Sequence, residues 1–440
     1  MKKIILFLTL IAMCSKISAQ NDTLKLSLAS ALKLGLSNRF DAKESSLNID
    51  IAKNKLAKSN KELLPDLSAS GKINYFGQVQ PSIIPAGYLG LTEPEKITIG
   101  MKNNTALALD LNYTIYKPGL FTDIKIAAND VELAKEKNVK SDIDIKIEIA
   151  QAYDNALLKS LQYSIAQKNE NRYKEYYTLA NGKYLNGALL ESDMLLAELD
   201  YKNAVASTTK QKQNYMLSLQ SLIYYINVPE NTFIVITDSL PSTIDTTINT
   251  GLSTKAISNR SEIKQMNIEQ AGYVLQLKKT KENYYPSLSF FANYTKLFQG
   301  PDLDYSQNFY WAPVNCVGLK LSVPIIGSIK NINAVKEYKL KLSQTDLALK
   351  QKTADLLYEV QSALTKLNNT KQNLIVAKDN YQLSQKVYEL NKQQYNTGDF
   401  SNQKLLDTEK SLSTAEQDYI TAVYEFLIAK INYQKAVGSF

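Results

Sequence analysis

A chain of 440 residues has room for two or three ordinary domains, and 44% hydrophobic against 21% charged residues suits a structured protein in contact with water. The formal charge of +8 comes from charges interspersed along the chain rather than gathered into a basic block, which argues against a nucleic-acid partner. Histidine is absent, so histidine-based acid–base pairs, triads and zinc sites are excluded, and no glycine-rich loop ending in GK[ST] is present to cradle phosphate. Neither catalysis nor a cofactor or metal is expected.

The chain opens with Lys2 and Lys3, an apolar run from Ile4 to Met13, and then Ile17-Ser18-Ala19. This is the pattern of a secretory signal peptide over residues 1–19, and the run is too short to span a bilayer. A rival is a lipoprotein cleavage box with Cys14 acylated, in which Met13 is a poor residue to precede the cysteine. With the leader removed, Cys316 is the one remaining cysteine, so no intramolecular disulfide can form. Its place in a strand reads as buried packing. No later stretch holds about 18 uninterrupted apolar residues.

Ser27 to Leu64 reads as a helix ended by Pro65, and Leu252 to Tyr285 as its counterpart ended by Pro286. Seven pairs match between them at a constant offset of 221, among them Asn38/Asn259, Arg39/Arg260, Asp41/Glu262 and Leu67/Leu288. After each proline the period changes to two. Leu67, Ala69, Gly71, Ile73 and Tyr75, and later Leu107, Leu109, Leu111, Tyr113 and Ile115, alternate with small or polar residues. Leu288, Phe290, Ala292 and Tyr294, then Val317, Leu319, Leu321 and Val323, do the same. These are four amphipathic strands in two hairpins, over 67–116 and 287–326, with Gly/Pro/Tyr-rich tips.

Long stretches without proline follow, about Gly119 to Ala180 and Gly327 to Gln394; at 1.5 Å per residue each helix would run on the order of 90–100 Å. Each leads into a glycine turn, at 181–193 and 395–404, and then into a seam helix. The second seam reads Leu405, Thr408, Leu412, Ala415, Tyr419, Ala422, Phe426, Ala429, Tyr433, Ala436, a 3-4 stripe alternating bulky with small residues. Beside it runs a second apolar set, Ile420, Val423, Leu427 and Ile431, so the helix has two faces for two neighbours. The first seam runs from Met194 through Ala197, Tyr201 and Ala204 to Leu222 and Tyr225, and both seam and turn glycine recur at an offset of 211. The chain is therefore a duplication, with repeats over 20–226 and 252–440 and a Thr/Ser/Pro-rich connector at 227–251 carrying a short strand candidate at Phe233–Ile236.

Four strands cannot close a barrel, and aromatic residues gather near the strand ends: Tyr75, Phe76, Tyr116, Tyr284, Tyr285, Phe298 and Phe309-Tyr310-Trp311. Aromatic belts of this kind mark bilayer interfaces, and a membrane β-structure has to be closed. Several copies would then supply the strands. The alternative is a soluble sandwich in which each strand pair covers a helical core.

Helix, proline, hairpin, very long helix, glycine turn and seam helix, all twice, with YLNG at Tyr184–Gly187, YNTG at Tyr395–Gly398, LLD at Leu405–Asp407 and two SNR…P blocks, resembles the TolC family of outer-membrane efflux proteins. The resemblance implies a mainly α fold with membrane β. A homotrimer would form a periplasmic α-barrel topped by a twelve-stranded β-barrel in outer-membrane lipid, with 227–251 in an equatorial belt. It also implies a passive exit duct for a tripartite efflux or type I secretion system, served by a periplasmic adaptor and an inner-membrane pump. The glycine turns would be the adaptor-docking tips: Gly187, Ala188, Leu189 and Leu190, and Gly398, Asp399, Phe400 and Ser401. Asp193 and Asp407 match acidic aperture positions, while Lys404 stands where a second acid is expected, so the periplasmic gate would carry mixed charge. Each glycine also serves simply as a helix–helix turn, and each charge as solvation of a helix start. The alternative function is a secreted or periplasmic coiled-coil scaffold or adhesin without a pore.

Overall fold

The computed structural model describes residues 24–88, 90–238, 257–325, 327–397 and 402–439. The signal peptide with Cys14, and the greater part of the 227–251 connector, lie outside the described residues. Helices α1 (Leu28–Asn38), α2 (Phe40–Lys61), α3 (Leu120–Leu185) and α4 (Glu191–Ile226) belong to the first repeat, and α5 (Ser261–Glu282), α6 (Gly327–Thr397) and α7 (Asn402–Ala436) to the second. Strands are β1 (Leu24–Leu26), β2 (Asp66–Tyr75), β3 (Pro81–Ile84), β4 (Glu95–Thr98), β5 (Asn103–Tyr116), β6 (Ile234–Ile236), β7 (Ser287–Gly300) and β8 (Trp311–Ser322). Two compact units result, each taking pieces of both repeats: one from Met1–Asn48, Lys135–Gln265 and Leu349–Phe440, the other from Ile49–Ala134 and Met266–Ala348.

In the second unit the four expected strands form one antiparallel sheet in the order β2-β5-β7-β8. Its register sorts the side chains by face. Leu67, Leu111, Ala292 and Val317 share one rung, and Leu109, Tyr294 and Phe290, Leu319 continue the same face. The opposite face carries rungs such as Ser68, Asp110, Asn293 and Cys316, with Asn293 Nδ2 donating to Asp110 Oδ1 at 2.6 Å. Among the described residues no helical layer covers the apolar face, on which Leu67, Val317 and Leu319 are 68%, 69% and 65% exposed. The sheet is thus not the half of a soluble sandwich. Cys316, expected to be buried packing, is exposed: it sits on the polar face of an edge strand. A further short hairpin, β3–β4, forms within the tip expected to be a loop.

In the first unit, the helix expected over Ser27–Leu64 is two helices. Arg39 leaves the helical region with ψ 139 and separates α1 from α2. Ser27 caps α1, its Oγ accepting from the Ser30 N–H. α1 lies so close to α3 that a Cβ on Gly35 would stand 2.1 Å from Ile149 Cδ1. Leu26, Ala31, Ile149, Tyr153, Leu222, Ile226 and Ile234 make the core around that approach. The strand candidate in the connector is present as β6, parallel to β1.

The break at Arg39 is an ionic joint that recurs. Arg39 binds Asp41 at 2.5 Å and Glu148 at 2.7 Å. Arg260 binds Glu262 at 2.8 Å, approaches Glu359 at 3.6 Å, and donates to the carbonyls of Lys435 and Ala436 at the end of α7. The partners match at the same offsets that relate the repeats, 221 and 211. Burial pushes the Glu262 carboxyl up, but the hydrogen bond and charge of Arg260 outweigh it and hold the group at about 2. A carboxyl lowered on folding contributes stability above its ordinary value of 4.5 and loses it as pH falls towards 2. Helical unfolding followed by circular dichroism should therefore show wild-type stability falling between those values, a fall that Glu262→Gln flattens. Arg260→Met should cost about 3 kcal/mol at neutral pH, since it strands a half-buried acid and two helix-end carbonyls.

Candidate gate and docking turns

The turn between α3 and α4 is a Schellman closure. The Ala188 N–H donates to the Lys183 carbonyl and the Gly187 N–H to the Tyr184 carbonyl, both at 2.9 Å. Gly187 has φ 70, the left-handed region that glycine enters without strain, and nothing lies within 4 Å of where its Cβ would be. Glycine is therefore required by the backbone and not by lack of room. Ala188 and Leu190 are exposed, Leu190 to 71%, and Leu189 is half-buried. Glu191 and Asp193 follow in the first turn of α4, where the helix dipole favours acids.

Gly398, Asp399, Phe400 and Ser401, the other expected docking residues, lie outside the described residues. Their flanks are ordered by an apolar cluster of Tyr388, Tyr395, Leu405 and Leu412. Lys183 Nζ lies 3.0 Å from the Tyr395 hydroxyl, so the ends of α3 and α6 lie side by side in this unit. Lys404 and Asp407 are exposed near the start of α7, with Gln403 Nε2 donating to Asp407 Oδ1 at 3.2 Å.

α7 uses both of its faces. Its seam residues Ala422, Phe426, Ala429 and Tyr433 pack on Leu367 and Leu374 of α6. On the other side Ile420 meets Leu158 and Ile165 of α3, and Ile431 meets Ile147 and Ala150. α4 is held to α3 by Leu222 and Ile226 in the core and, further along, by stacked tyrosines, Tyr177 on Tyr201 and Tyr163 on Tyr215, at 6.0 and 6.4 Å between centroids.

Sequence reasoning missed a buried charge cluster behind the turns. Arg172 of α3 pairs with Glu409 and lies 3.7 Å from Glu416, both on α7, and its guanidinium faces the Tyr388 ring at 5.8 Å. Asn169 is drawn in by donating to Ser413 Oγ at 2.7 Å. Glu409 and Glu416 are almost fully buried, and each has an Oε2 with no hydrogen-bond partner. Burial pushes the Glu409 carboxyl up, against the pull of Arg172. The signal was composition: the chain has three arginines, Arg39, Arg172 and Arg260, among 51 basic residues, and each stands at a carboxylate pair. Among the described residues no cluster of His, Cys, Asp or Glu is placed to hold a metal ion, and no helix is long and apolar enough to cross a membrane.

Residues 252–439 match the outer membrane efflux protein family. Across 96% of this chain and 87% of its own length, nodulation protein T of Rhizobium leguminosarum bv. trifolii is 22% identical. The second repeat of the chain is thus similar to that family. Another relative within that likeness is the probable efflux pump outer membrane protein TtgC of Pseudomonas putida, 22% identical over 93% of this chain and 82% of its own. Two solved structures share the fold of this chain. CusC superposes with a TM-score of 0.76 at 16% identity, over 97% of this chain and 96% of its own. The Campylobacter jejuni CmeC outer membrane channel does so with 0.71 at 17% identity, over 94% and 85%.

The charge cluster makes a stability test. Arg172→Met should leave two buried glutamates unneutralised and cost about 3 kcal/mol, and Glu409→Gln in that background should recover part of it. A carboxyl raised on folding contributes stability below its ordinary value and loses it as pH rises through the folded one. Arg172→Met should therefore unfold more readily as pH rises in chemical denaturation followed by circular dichroism, and the double variant should lose part of that slope.

Proposed function

We propose that the chain acts as an outer-membrane exit duct, in which three copies close their sheets into one barrel and their helices into a periplasmic tube. The observation that carries this reading is the sheet: an apolar face left bare beside a polar face, with open edges at β2 and β8. Lipid suits the bare face only if the edges are paired, because an unpaired backbone group in hydrocarbon costs several kcal/mol. The two-faced α7 suits a wall in which every helix has two neighbours. A duct of this kind conducts what an inner-membrane pump delivers through a periplasmic adaptor. TtgC is named as part of an efflux pump and AprF of Pseudomonas aeruginosa for alkaline protease secretion, which supports such a partnership without choosing a substrate.

The end where α3 and α6 finish side by side is the periplasmic tip on this reading. Asp193, Lys404 and Asp407 line its aperture, and the exposed apolar residues Ala188 and Leu190 beside the rigid Gly187 turn form the described part of the adaptor dock.

The duct should fractionate with the outer membrane as an SDS-resistant, heat-modifiable oligomer; soluble helical protein released by salt or alkali would instead establish a scaffold. In planar bilayers Asp193→Ala with Asp407→Ala should raise single-channel conductance, and an unchanged closed-state conductance removes the gate from these residues. Leu190→Asp should weaken co-purification of the adaptor while the oligomer stays intact.

A further inference from the structure

The two hairpin tips leave aromatic residues at the two free edges of the sheet, on one face and at one end. Ile73, Thr105, Phe298 and Trp311 form a single rung across all four strands, with Ile73 at the β2 edge and Trp311 at the β8 edge. The next positions outward are Tyr75 on β2 and, beyond the start of β8, Phe309 in the single 3-10 turn Asn308–Tyr310. The β8 edge is built up. Phe298 is fully buried under Tyr305, Tyr310 and Trp311, with centroids 4.8 to 5.9 Å apart, and the Trp311 Nε1–H donates to the Tyr305 carbonyl at 3.1 Å. Thr105 exchanges a hydrogen bond with the Tyr305 hydroxyl at 3.0 Å, tying the tip down on the apolar face. The result is a rigid aromatic ledge whose outermost ring, Phe309, is 91% exposed. At the other edge Tyr75 and Phe76 are 61% and 44% exposed, and the Phe76 N–H donating to the Lys102 carbonyl at 2.7 Å extends the β2–β5 pairing beyond the strand.

We infer that these two edges form an aromatic clasp between copies: Tyr75 of one copy packs against Phe309 and Trp311 of the next. The occupant is a second copy of this chain, and the inference rests on the closed assembly proposed above. When β8 of one copy pairs with β2 of the next, the apolar face continues across the seam and the strand ends that carry the two sets meet. Neighbouring strands lie about 4.8 Å apart and aromatic side chains reach diagonal partners, so a stagger of one or two residues still brings the rings together. The remaining ladder contacts at a seam are backbone bonds, which any register satisfies. A side-chain clasp at one end restricts the closure to the few registers that bring the rings together.

The test is a pair of cysteines, Tyr75→Cys with Phe309→Cys, in a Cys316→Ser background in the detergent-solubilised full chain, treated with a short bismaleimide and resolved after boiling in SDS. Covalent dimers and trimers are the expected products, since the two cysteines of one copy stand at opposite edges of its sheet. Light scattering on the same sample reports assembly separately. An intact trimer that yields only monomer bands, linked internally or not at all, overturns the clasp and leaves the duct standing, with the aromatics facing lipid alone. A monomer by light scattering overturns the assembly and the clasp with it. As a second measurement, Phe309→Ala and Tyr75→Ala should each lower the temperature at which the SDS-resistant oligomer dissociates, and the double variant should lower it by less than the sum. Additive or absent effects count against contact. Phe309 is almost wholly exposed in the single copy, so its loss leaves protomer folding unharmed.

Discussion

Everything in the sheet-bearing unit follows from one constraint: a β-structure with an apolar outer face has to pair every edge. The register assigns Leu67, Leu109, Tyr294 and Leu319 to one face and Ser68, Asp110 and Asn293 to the other, across strands from both halves of the chain. Four strands can sort their side chains in this way but cannot close, so β2 and β8 remain as edges of the described sheet. The hairpins of the two repeats are not independent modules either. β5 of the first pairs with β7 of the second over nearly their full lengths, which makes the sheet the place where the duplicated halves become one object.

In the helical unit the corresponding constraint is held by three arginines. A lysine is a mobile, strongly hydrated charge, whereas the planar guanidinium can bind two acceptors at once and tolerates burial better. That difference explains why a chain so rich in lysine keeps arginine at three sites where carboxylates from different elements meet. Arg39 and Arg260 replace helical backbone continuity at the repeat entrances, and Arg260 also satisfies carbonyls that α7 leaves open at its end.

Periodicity made most of this legible. The offsets of 211 and 221, the four strands, the glycine turn and the two faces of α7 could all be read because each rests on a repeating pattern of local chemistry. What was not legible depended on contacts distant in sequence. The period of 3.6 runs through Arg39 unbroken, so the break there could not be seen without Glu148, and Cys316 looked buried because alternation does not say whether a second layer covers a face. Arg172 and Glu409 are 237 residues apart, and on a helix that is polar all along one side neither stands out as buried. Of the site, the Gly187 turn was readable from its own backbone demand. Asp193, Lys404 and Asp407 were placed by resemblance, and a single copy does not assemble an aperture around them.

The two halves differ most where their likeness would predict least. At the common offset, the counterpart of Glu409 is Glu198, which forms an exposed-side pair with Lys202 at 2.8 Å, that of Glu416 is Val205, and that of Arg172 is Leu383, 62% exposed. The charge cluster therefore belongs to α7 alone. Apolar seams and stacked tyrosines, as between α3 and α4, are tolerant of small axial shifts because dispersion has little direction. Two glutamates seven residues apart on one helix, both turned to a single guanidinium, are not tolerant: a shift of one residue turns both away and leaves buried charge unpaired. On this argument the duplicated chain holds α4 by a surface that can adjust and α7 by one that cannot. The register of α7 against α3 is thus set beneath the end of the unit where Lys404 and Asp407 stand.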